Sequence, residues 1–600
     1  MLRQRVLITL AASASAAAMS IFGAGAAVAK TCPNSSTRAV AGTPSYRYTR
    51  GCIISYDGTA IVYNLFEPLH PAAGSVYPIL EGPGWGGAGS TSPDPRLISS
   101  GYAELTWDPR GFGQSGGVAE VDAPSAEGRD VSALIDKVLT GRREIATDHA
   151  GKRGQPRYGN DGPRSNSYGE PVVGMTGGSY GGGIQFATAA FDNRVKAIVP
   201  VITWNNLNYS LWPGNVIKLG WGELLYGAGL GEGAAEHGGG DAAGAPSGGD
   251  GGQQTGGYDP NIHYAEVTGA ALGYPDRQMM YWFGQRSQAV YGAGPAGHIG
   301  DVPTLLIQGT VDTLFNLDDA WANYVEITGR YPQLPVKLIA FCGGHVSCPT
   351  GPPPTGAGYS DTASASSPIG ARQSAGTFDE NRTIDWFNHY LRGKGAGDGM
   401  PARVVYQDQK GNFHPLPTFP TTSVPGPATI VSAPLSGTLV AHGVPSGAGP
   451  AGIDTAVTDG ATSSGDPGQV TVPVLRAPAK ADVPIVGIGH VIANVTVAGA
   501  ATELFFRLID KNTGGVLDLQ TQPLRVDNLD LQGLGGNPNV PPGPQRVSLD
   551  LVGTAYDLPA GDTLELQVST STDSYTPNRG SAVVTLAKGT VSVPTLAPGR

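Results

Sequence analysis

Apolar positions along this chain follow two rhythms in turn up to about Met400 and a single one after it. Residues 52–56 and 60–65 are short apolar runs on either side of Asp57-Gly58 and predict a hairpin. Residues 76–80 predict a buried strand that ends in a glycine-rich loop, and 102–107 predict the next strand. The period then changes. Across 130–139, Val131, Leu134, Ile135 and Val138 fall on one helical face. Residues 140–170 are polar and read as a loop. A strand over 171–175, a small-residue helix over 182–190 and a strand over 195–201 follow. Strands interleaved with helices predict a parallel sheet in an α/β domain.

Residues 204–298 break this alternation. They are rich in aromatics (Trp204, Tyr209, Trp212, Trp221, Tyr226, Tyr281, Trp282, Phe283) and predict a helical cap over the site. Within them, 227–257 is a Gly/Ala stretch of low complexity, expected to lack fixed structure. The alternation resumes with a strand over 304–307, a helix over 317–329, a strand over 336–340 and a helix over 381–391. Beyond Met400 the helical spacing disappears. Short β-branched runs at 485–488, 491–497, 503–509, 547–551 and 563–568, separated by turn residues, predict an all-β sandwich, with 443–468 a polar loop inside it. The expected organisation is a leader over 1–29, an α/β domain over 30–203 and 299–398, a cap over 204–298 and a β-sandwich over 399–600.

Composition narrows the class. At 600 residues the chain exceeds one ordinary domain. A net charge of -11 without any Lys/Arg cluster argues against a nucleic-acid partner. The chain opens on Met1-Leu2-Arg3-Gln4-Arg5, continues through an apolar run and reaches Ala27-Val28-Ala29 before Lys30, which predicts a secretory signal peptide. The run is mostly weakly apolar Ala, Gly and Ser, so cleavage is expected rather than a retained anchor, and with it a secreted protein without stable membrane insertion. Arg3 and Arg5 are not adjacent, so a twin-arginine signal is not indicated. Four cysteines in an exported chain suggest disulfides. Of the three pairings, Cys32–Cys52 and Cys342–Cys348 close the shortest loops and are expected. No CxxC spacing or paired histidines accompany them, so no metal site is expected.

The chemistry centres on Gly177-Gly178-Ser179-Tyr180-Gly181. A lone G-x-S-x-G is a weak pattern in a chain with 90 glycines, but here a strand precedes it and a helix follows. That context fits a nucleophile elbow, in which backbone N–H groups at the helix start can hold an oxyanion. The acid and base of an α/β-hydrolase follow the serine in that order, each just past a strand. Asp312, in Gln308-Gly309-Thr310-Val311-Asp312, fits the acid; Asp318 and Asp319 are rivals on the following helix. His345, in Phe341-Cys342-Gly343-Gly344-His345, fits the base, with the expected Cys342–Cys348 bridge straddling it. The backbone N–H groups of Tyr180 and Trp85 are the expected oxyanion donors, Gly84 being the rival to Trp85. Asp108 and Arg110, in the loop after the strand 102–107, are expected to bridge and brace the elbow.

These motifs resemble those of the X-Pro dipeptidyl-peptidases (peptidase S15) and cocaine-esterase-like acyl hydrolases. Asp108-Pro109-Arg110-Gly111-Phe112-Gly113-Gln114-Ser115-Gly116 is similar to the family's D-x-R-G-x-G-x-S-x-G signature, and Gly177-Gly178-Ser179-Tyr180-Gly181-Gly182 to its elbow. Asp312 and His345 match its acid and base positions, and Asp385-Trp386-Phe387-Asn388-His389-Tyr390-Leu391-Arg392-Gly393 resembles the helix that closes its hydrolase domain. Leu558-Pro559-Ala560-Gly561-Asp562 resembles part of its jelly roll. The resemblance implies an α/β-hydrolase domain with a cap insertion, followed by a C-terminal jelly-roll sandwich. One departure stands out. The family often places a Pro-Tyr pair in the oxyanion loop, whereas this chain has Gly82-Pro83-Gly84-Trp85, closer to proline iminopeptidases, which implies a backbone donor.

The function expected is a secreted serine hydrolase acting through an acyl-enzyme on a small ester or peptide, without a cofactor; a non-catalytic binding protein using the β-sandwich is the alternative. A dipeptidyl-peptidase needs a carboxylate for the substrate's ammonium, for which Glu81 and Glu223 are candidates. An esterase needs only an apolar pocket. Protonation of the base predicts that activity falls toward acid pH.

Overall fold

The computed structural model describes residues 32, 35–148, 170–230, 257–291, 300–348, 375–395, 397–443, 468–500, 502–526 and 544–597. The leader over 1–29 lies outside them. So do most of the Gly/Ala stretch and of the 443–468 loop. Among the described residues no helix is long and apolar enough to cross a membrane.

The first unit is built on an 11-stranded sheet. Its strands are β1 (Ser36–Val40), β2 (Tyr46–Ile54), β3 (Ala60–Pro68), β4 (Pro78–Glu81), β5 (Ala103–Trp107), β6 (Val173–Gly178), β7 (Val195–Val201), β8 (Thr304–Gly309), β9 (Val336–Phe341), β10 (Val404–Gln407) and β11 (Phe413–Leu416). They lie in the order β1-β2-β3-β5-β4-β6-β7-β8-β9-β10-β11. From β5 to β10 every pairing is parallel. Both ends are antiparallel, so the sheet is mixed rather than purely parallel. For β2–β3 and β10–β11 the reason is local: the Asp57-Gly58 turn and the Asp408 turn, where one carboxylate oxygen accepts the N–H groups of Lys410 and Asn412, are too short for a crossover. The sheet also runs past the boundary expected at 399, because β10 pairs with β9 and its Val404, Val405 and Tyr406 are buried.

Neighbouring residues in the central strands point to opposite faces, and both faces are covered. Leu80, Leu306 and Leu338 pack beneath the helices Glu127–Leu134, Tyr180–Ala189 and Leu317–Arg330. Ile79, Leu305 and Ile339 pack against Trp386 and Phe387 of the helix Ala375–Tyr390. The helix read over 130–139 begins earlier, at Glu127, and its last turn widens to a π-helix over Ile135–Leu139. The loop read over 140–170 contains a short strand, Thr147–Asp148, paired with Glu170–Pro171. In the cap, residues 227–230 belong to the helix Leu219–Leu230 rather than to an unstructured stretch.

The C-terminal part consists of a six-stranded and a four-stranded antiparallel sheet. Together they enclose a core that includes Leu435, Val495, Val584, Leu504, Phe506 and Leu566. His490–Gly499 alternates buried and half-exposed positions, the mark of a sheet face open to water. Thr502–Asp510, in the other sheet, is buried throughout, because the outer face of that sheet docks on the hydrolase unit. There Phe505 meets Val216 of the cap, and Gln520 meets the loop after β8.

Asp108 and Arg110 do not bridge each other. Arg110 forms a two-pronged pair with Asp130 (Nε–Oδ2 2.7 Å, Nη2–Oδ1 2.8 Å) and reaches Asp57 at 3.1 Å, tying the hairpin turn to the helix Glu127–Leu134. Asp108 instead accepts the N–H groups of Gly89 and Gln114. Arg110 and Asp130 are 4% and 2% exposed, so removing the cation strands a buried carboxylate. Arg110→Met is expected to cost about 3–5 kcal/mol in urea unfolding. A change below about 0.5 kcal/mol, the usual range for surface sites, would show the pair to be dispensable.

Candidate active site

The turn after β6 is strained. Ser179 has φ 57° and ψ -118°, a conformation that side chains rarely adopt. Its N–H donates to the Val201 carbonyl at the end of β7 (2.9 Å), and its own carbonyl accepts from Gly182 and Gly183 at the start of the helix Tyr180–Ala189. Gln185, one turn further, fastens the bend. Its Nε2 donates to the carbonyls of Gly177 (3.1 Å) and Gly181 (2.9 Å), while its Oε1 accepts the Val199 N–H (3.0 Å). A Cβ on Gly181 would overlap the Gly82 carbonyl, so the loop after β4 lies directly on the elbow.

The ends of β6, β7, β8 and β9 are level: Gly178 pairs with Val201, Val201 with Ile307, and Gly309 with Phe341. Asp312 and His345 therefore leave the same sheet edge as Ser179. His345 Nδ1 lies 2.7 Å from Asp312 Oδ2, which also accepts the His345 N–H at 3.1 Å. Asp312 Oδ1 accepts the N–H groups of Leu314 (3.0 Å) and Phe315 (3.1 Å). Asp312 is wholly buried, whereas the His345 side chain is 15% exposed. Gly344, at φ 137°, gives the Asp312 side chain room that a Cβ would occupy. The imidazole meets Trp221 and Phe315 edge-on, with centroids 5.7 Å and 5.4 Å away. Its Nε2 is buried and has no hydrogen-bond partner among the described residues, so no bond to Ser179 is formed in this structure. Cys342 and Cys348 are bonded across this loop, and Cys32 is bonded to Cys52 on β2.

Trp85 lies in a tight turn closed by Gly87 N–H to the Gly84 carbonyl (3.0 Å). Its ring packs edge-on against Tyr180 (5.1 Å) and Phe112 (4.9 Å) and stacks on Tyr258 (5.6 Å), while its Nε1 donates to Leu225 in the cap. Thus the two expected oxyanion residues touch each other, and Asp312 touches His345. Asp318 and Asp319 point elsewhere: Asp318 accepts the Tyr209 hydroxyl and Asp319 the Ser210 hydroxyl, both in the cap.

The family model for X-Pro dipeptidyl-peptidase (S15 family) matches residues 57–347, and that for the X-Pro dipeptidyl-peptidase C-terminal non-catalytic domain matches 400–591. The chain belongs to the S15 family. This S15 protein is accordingly a serine hydrolase. Among curated proteins none matches its sequence significantly. Its fold is shared with solved structures of low sequence identity. An α-amino acid ester hydrolase aligns at 14% identity and TM-score 0.62, covering 93% of this chain and 98% of that one. A CocE/NonD family hydrolase from Staphylococcus aureus aligns at 13% and 0.60, covering 92% and 94%. An aminopeptidase from a marine sediment Thaumarchaeota archaeon aligns at 13% and 0.60, covering 92% and 97%.

Several buried groups of this S15 protein surround the site without a signature in the sequence. Lys218, 3% exposed, donates to the Leu314 carbonyl (2.7 Å), and burial lowers its pKa to about 8. Trp221 Nε1 donates to Thr313 Oγ1 (3.0 Å), so the cap grips the loop that carries Asp312 at two points. Gln308 Nε2 holds the Phe315 carbonyl (2.6 Å) and Gln520 Nε2 the carbonyls of Thr310 and Asp312. Glu81 is a poor ammonium receptor: burial first, then the charge of Asp94, raises its pKa to about 7, and Glu104 lies beside it. Glu223 is exposed on the cap. Among the described residues no cluster of His, Cys, Asp and Glu is arranged to hold a metal ion.

Behind the elbow, Tyr180 Oη donates to Glu127 (3.2 Å) and accepts the Asp122 N–H (3.3 Å). The Asp122 carboxyl is wholly buried and neither oxygen has a partner among the described residues; burial, then the charge of Glu127, holds its pKa well above the carboxylate range. A raised folded pKa means that the folded state keeps a proton the unfolded state has lost. The stability contribution is present below the unfolded pKa and is lost as pH rises through the folded one. Asp122→Asn removes this loss, so its advantage in Tm over the parent is expected to grow between pH 5 and pH 8.5. A difference independent of pH would contradict the assignment. Reduction with dithiothreitol is expected to lower activity by opening the Cys342–Cys348 loop around His345; mass mapping that finds both as free thiols in the untreated protein would exclude this.

Proposed function

We propose that the protein is an exported hydrolase that cleaves an amide or ester through an acyl-enzyme on Ser179. The observation that carries this reading is the 2.7 Å Asp312–His345 pair on the same sheet edge as the strained Ser179 turn. Ser179 Oγ attacks the substrate carbonyl. His345 Nε2, which has no hydrogen-bond partner among the described residues, takes the serine proton and returns it to the leaving group, while Asp312 fixes the tautomer and ring orientation through Nδ1. The N–H groups of Tyr180 and Trp85 hold the tetrahedral oxyanion; each N–H bond that tightens as charge develops on oxygen lowers the barrier. Water then attacks the acyl-enzyme with His345 again as base.

The substrate class proposed is a small ester or an X-Pro peptide, with no cofactor. The aromatic cluster that places Trp85 against Tyr180 and Trp221 against His345 favours a substrate with an apolar acyl or side-chain group. Export is supported by the leader pattern over 1–29 and by two disulfides, which persist in oxidising compartments.

A fluorophosphonate probe is expected to label the protein at Ser179. Ser179→Ala should abolish labelling and reduce turnover on the order of 10⁴-fold or more while leaving the thermal transition intact. Near-normal turnover by a folded Ser179→Ala protein would sink the assignment. Comparing X-Pro anilides with short-chain nitrophenyl esters decides between peptidase and esterase; a peptidase should also lose kcat/KM above about pH 8, where the substrate's α-amine loses its charge.

A further inference from the structure

The acid loop is held from outside the hydrolase unit. Gln520 lies on the strand Gly515–Val526, in the region matched by the model for the non-catalytic C-terminal domain. Its Nε2 donates to the Thr310 carbonyl (2.8 Å) and to the Asp312 carbonyl (3.0 Å). The side chain is 6% exposed, so water competes little for either bond. The strand is shaped for this contact. Its pairing with Thr502–Asp510 runs from Arg507↔Thr521 to Ile509↔Val516, which leaves 517–520 looped out of the ladder. Asp518 and Leu519 adopt φ 50° and 59° within that bulge, and the Asp518 carboxylate anchors it to the Ala555 N–H (2.7 Å).

We propose that Gln520 is a positioning residue for the hydrolytic reaction, acting through Asp312 on His345; the inference rests on the triad reading above. The carbonyl that Gln520 holds belongs to the same residue whose carboxylate orients the imidazole. The other constraints on the loop come from the hydrolase unit and the cap: Lys218 on the Leu314 carbonyl, Trp221 on Thr313 Oγ1, Gln308 on the Phe315 carbonyl, the Thr310 N–H on the Phe341 carbonyl, and the Leu314 and Phe315 N–H groups on Asp312 Oδ1. Without Gln520 the segment from Thr310 to Asp312 loses its grip on one side, and the carboxylate can drift from Nδ1. His345 is hydrogen-bonded to Asp312, and Lys218 lies within electrostatic reach of Asp312, Asp318 and Asp319; a neutral replacement of Gln520 changes none of these groups. Any loss of turnover in such a variant therefore reports geometry rather than a change of charge.

The test is Gln520→Met, which keeps the volume and removes the donor, assayed in the full chain on p-nitrophenyl acetate beside Asp312→Asn. The expected result is a kcat lower by about 10–100-fold with KM changed less than about twofold, since misplacement of a catalytic group by an ångström costs this order. A folded Gln520→Met protein with parental kcat overturns the proposal. If Gln520→Met does not fold, Gln520→Asn, whose shorter amide cannot span both carbonyls, replaces it with the same expectation. If neither folds into a form that the fluorophosphonate probe labels, Gln520 serves folding and the proposal falls. Asp312→Asn separates the two readings: parental activity there defeats the triad itself, whereas its loss beside an unaffected Gln520→Met defeats only the role of Gln520.

Discussion

The hydrogen bond between His345 Nδ1 and Asp312 Oδ2 is the contact around which the rest of this structure is arranged. Both residues sit on loops, and a loop alone does not hold two side chains to within a few tenths of an ångström. Here the loops are fixed one polar group at a time. The Asp312 carboxylate spends one oxygen on Leu314 and Phe315 and the other on His345. The loop's carbonyls are taken by Gln308, Lys218 and Gln520, which come from the sheet, the cap and the β-sandwich. Because these donors are buried, each bond replaces a desolvated, unpaired carbonyl, and its loss costs more than the same bond would at a surface.

The Ser179 turn is held by Gln185 and Val201 of the hydrolase unit itself, whereas the Asp312 loop lies where three units meet. The cap adds Trp221 against the imidazole and Lys218 beneath the loop. The four-stranded face of the sandwich is buried against the other two units, so Thr502–Asp510 has no solvent face and reads as a continuous apolar and polar core strand. Buried ionisable groups concentrate at the same junction. Burial raises the pKa of Asp318 to about 7 and of Asp319 to about 6, while it lowers that of Lys218. Hydrogen bonds from Tyr209, Gly553 and Ser210 offset part of that desolvation.

The elements nearest the chemistry were legible in the sequence because their signals are local. Strand–turn–helix around Ser179 follows from an apolar run, glycines on both sides and a small-residue helix, all within a short stretch. Asp312 and His345 follow from their place just past the apolar runs that form β8 and β9. The short disulfide loops follow from spacing. Less was legible where edges and ends decide the outcome. Residues 404–416 carry the same β-branched pattern as the sandwich, yet they extend the hydrolase sheet, since pairing partner and pattern are independent. Asp108 and Arg110 are close in sequence and of opposite charge, yet Arg110 turns to Asp130, which the fold brings nearer in a two-pronged geometry.

By itself, then, the amino-acid sequence determined the two fold classes, the strand–turn–helix at Ser179, and the placement of Asp312 and His345 just past strands, because periodicity and turn chemistry act between near neighbours. Tertiary structure alone decided what holds the acid loop. Gln520 lies 208 residues from Asp312 and binds a backbone carbonyl, a group that every residue carries and that therefore leaves no mark in the sequence. The same is true of Lys218 on Leu314 and Gln185 on the elbow carbonyls. Side-chain bonds to the main chain are specified by where the chain passes, and only the packed fold determines that.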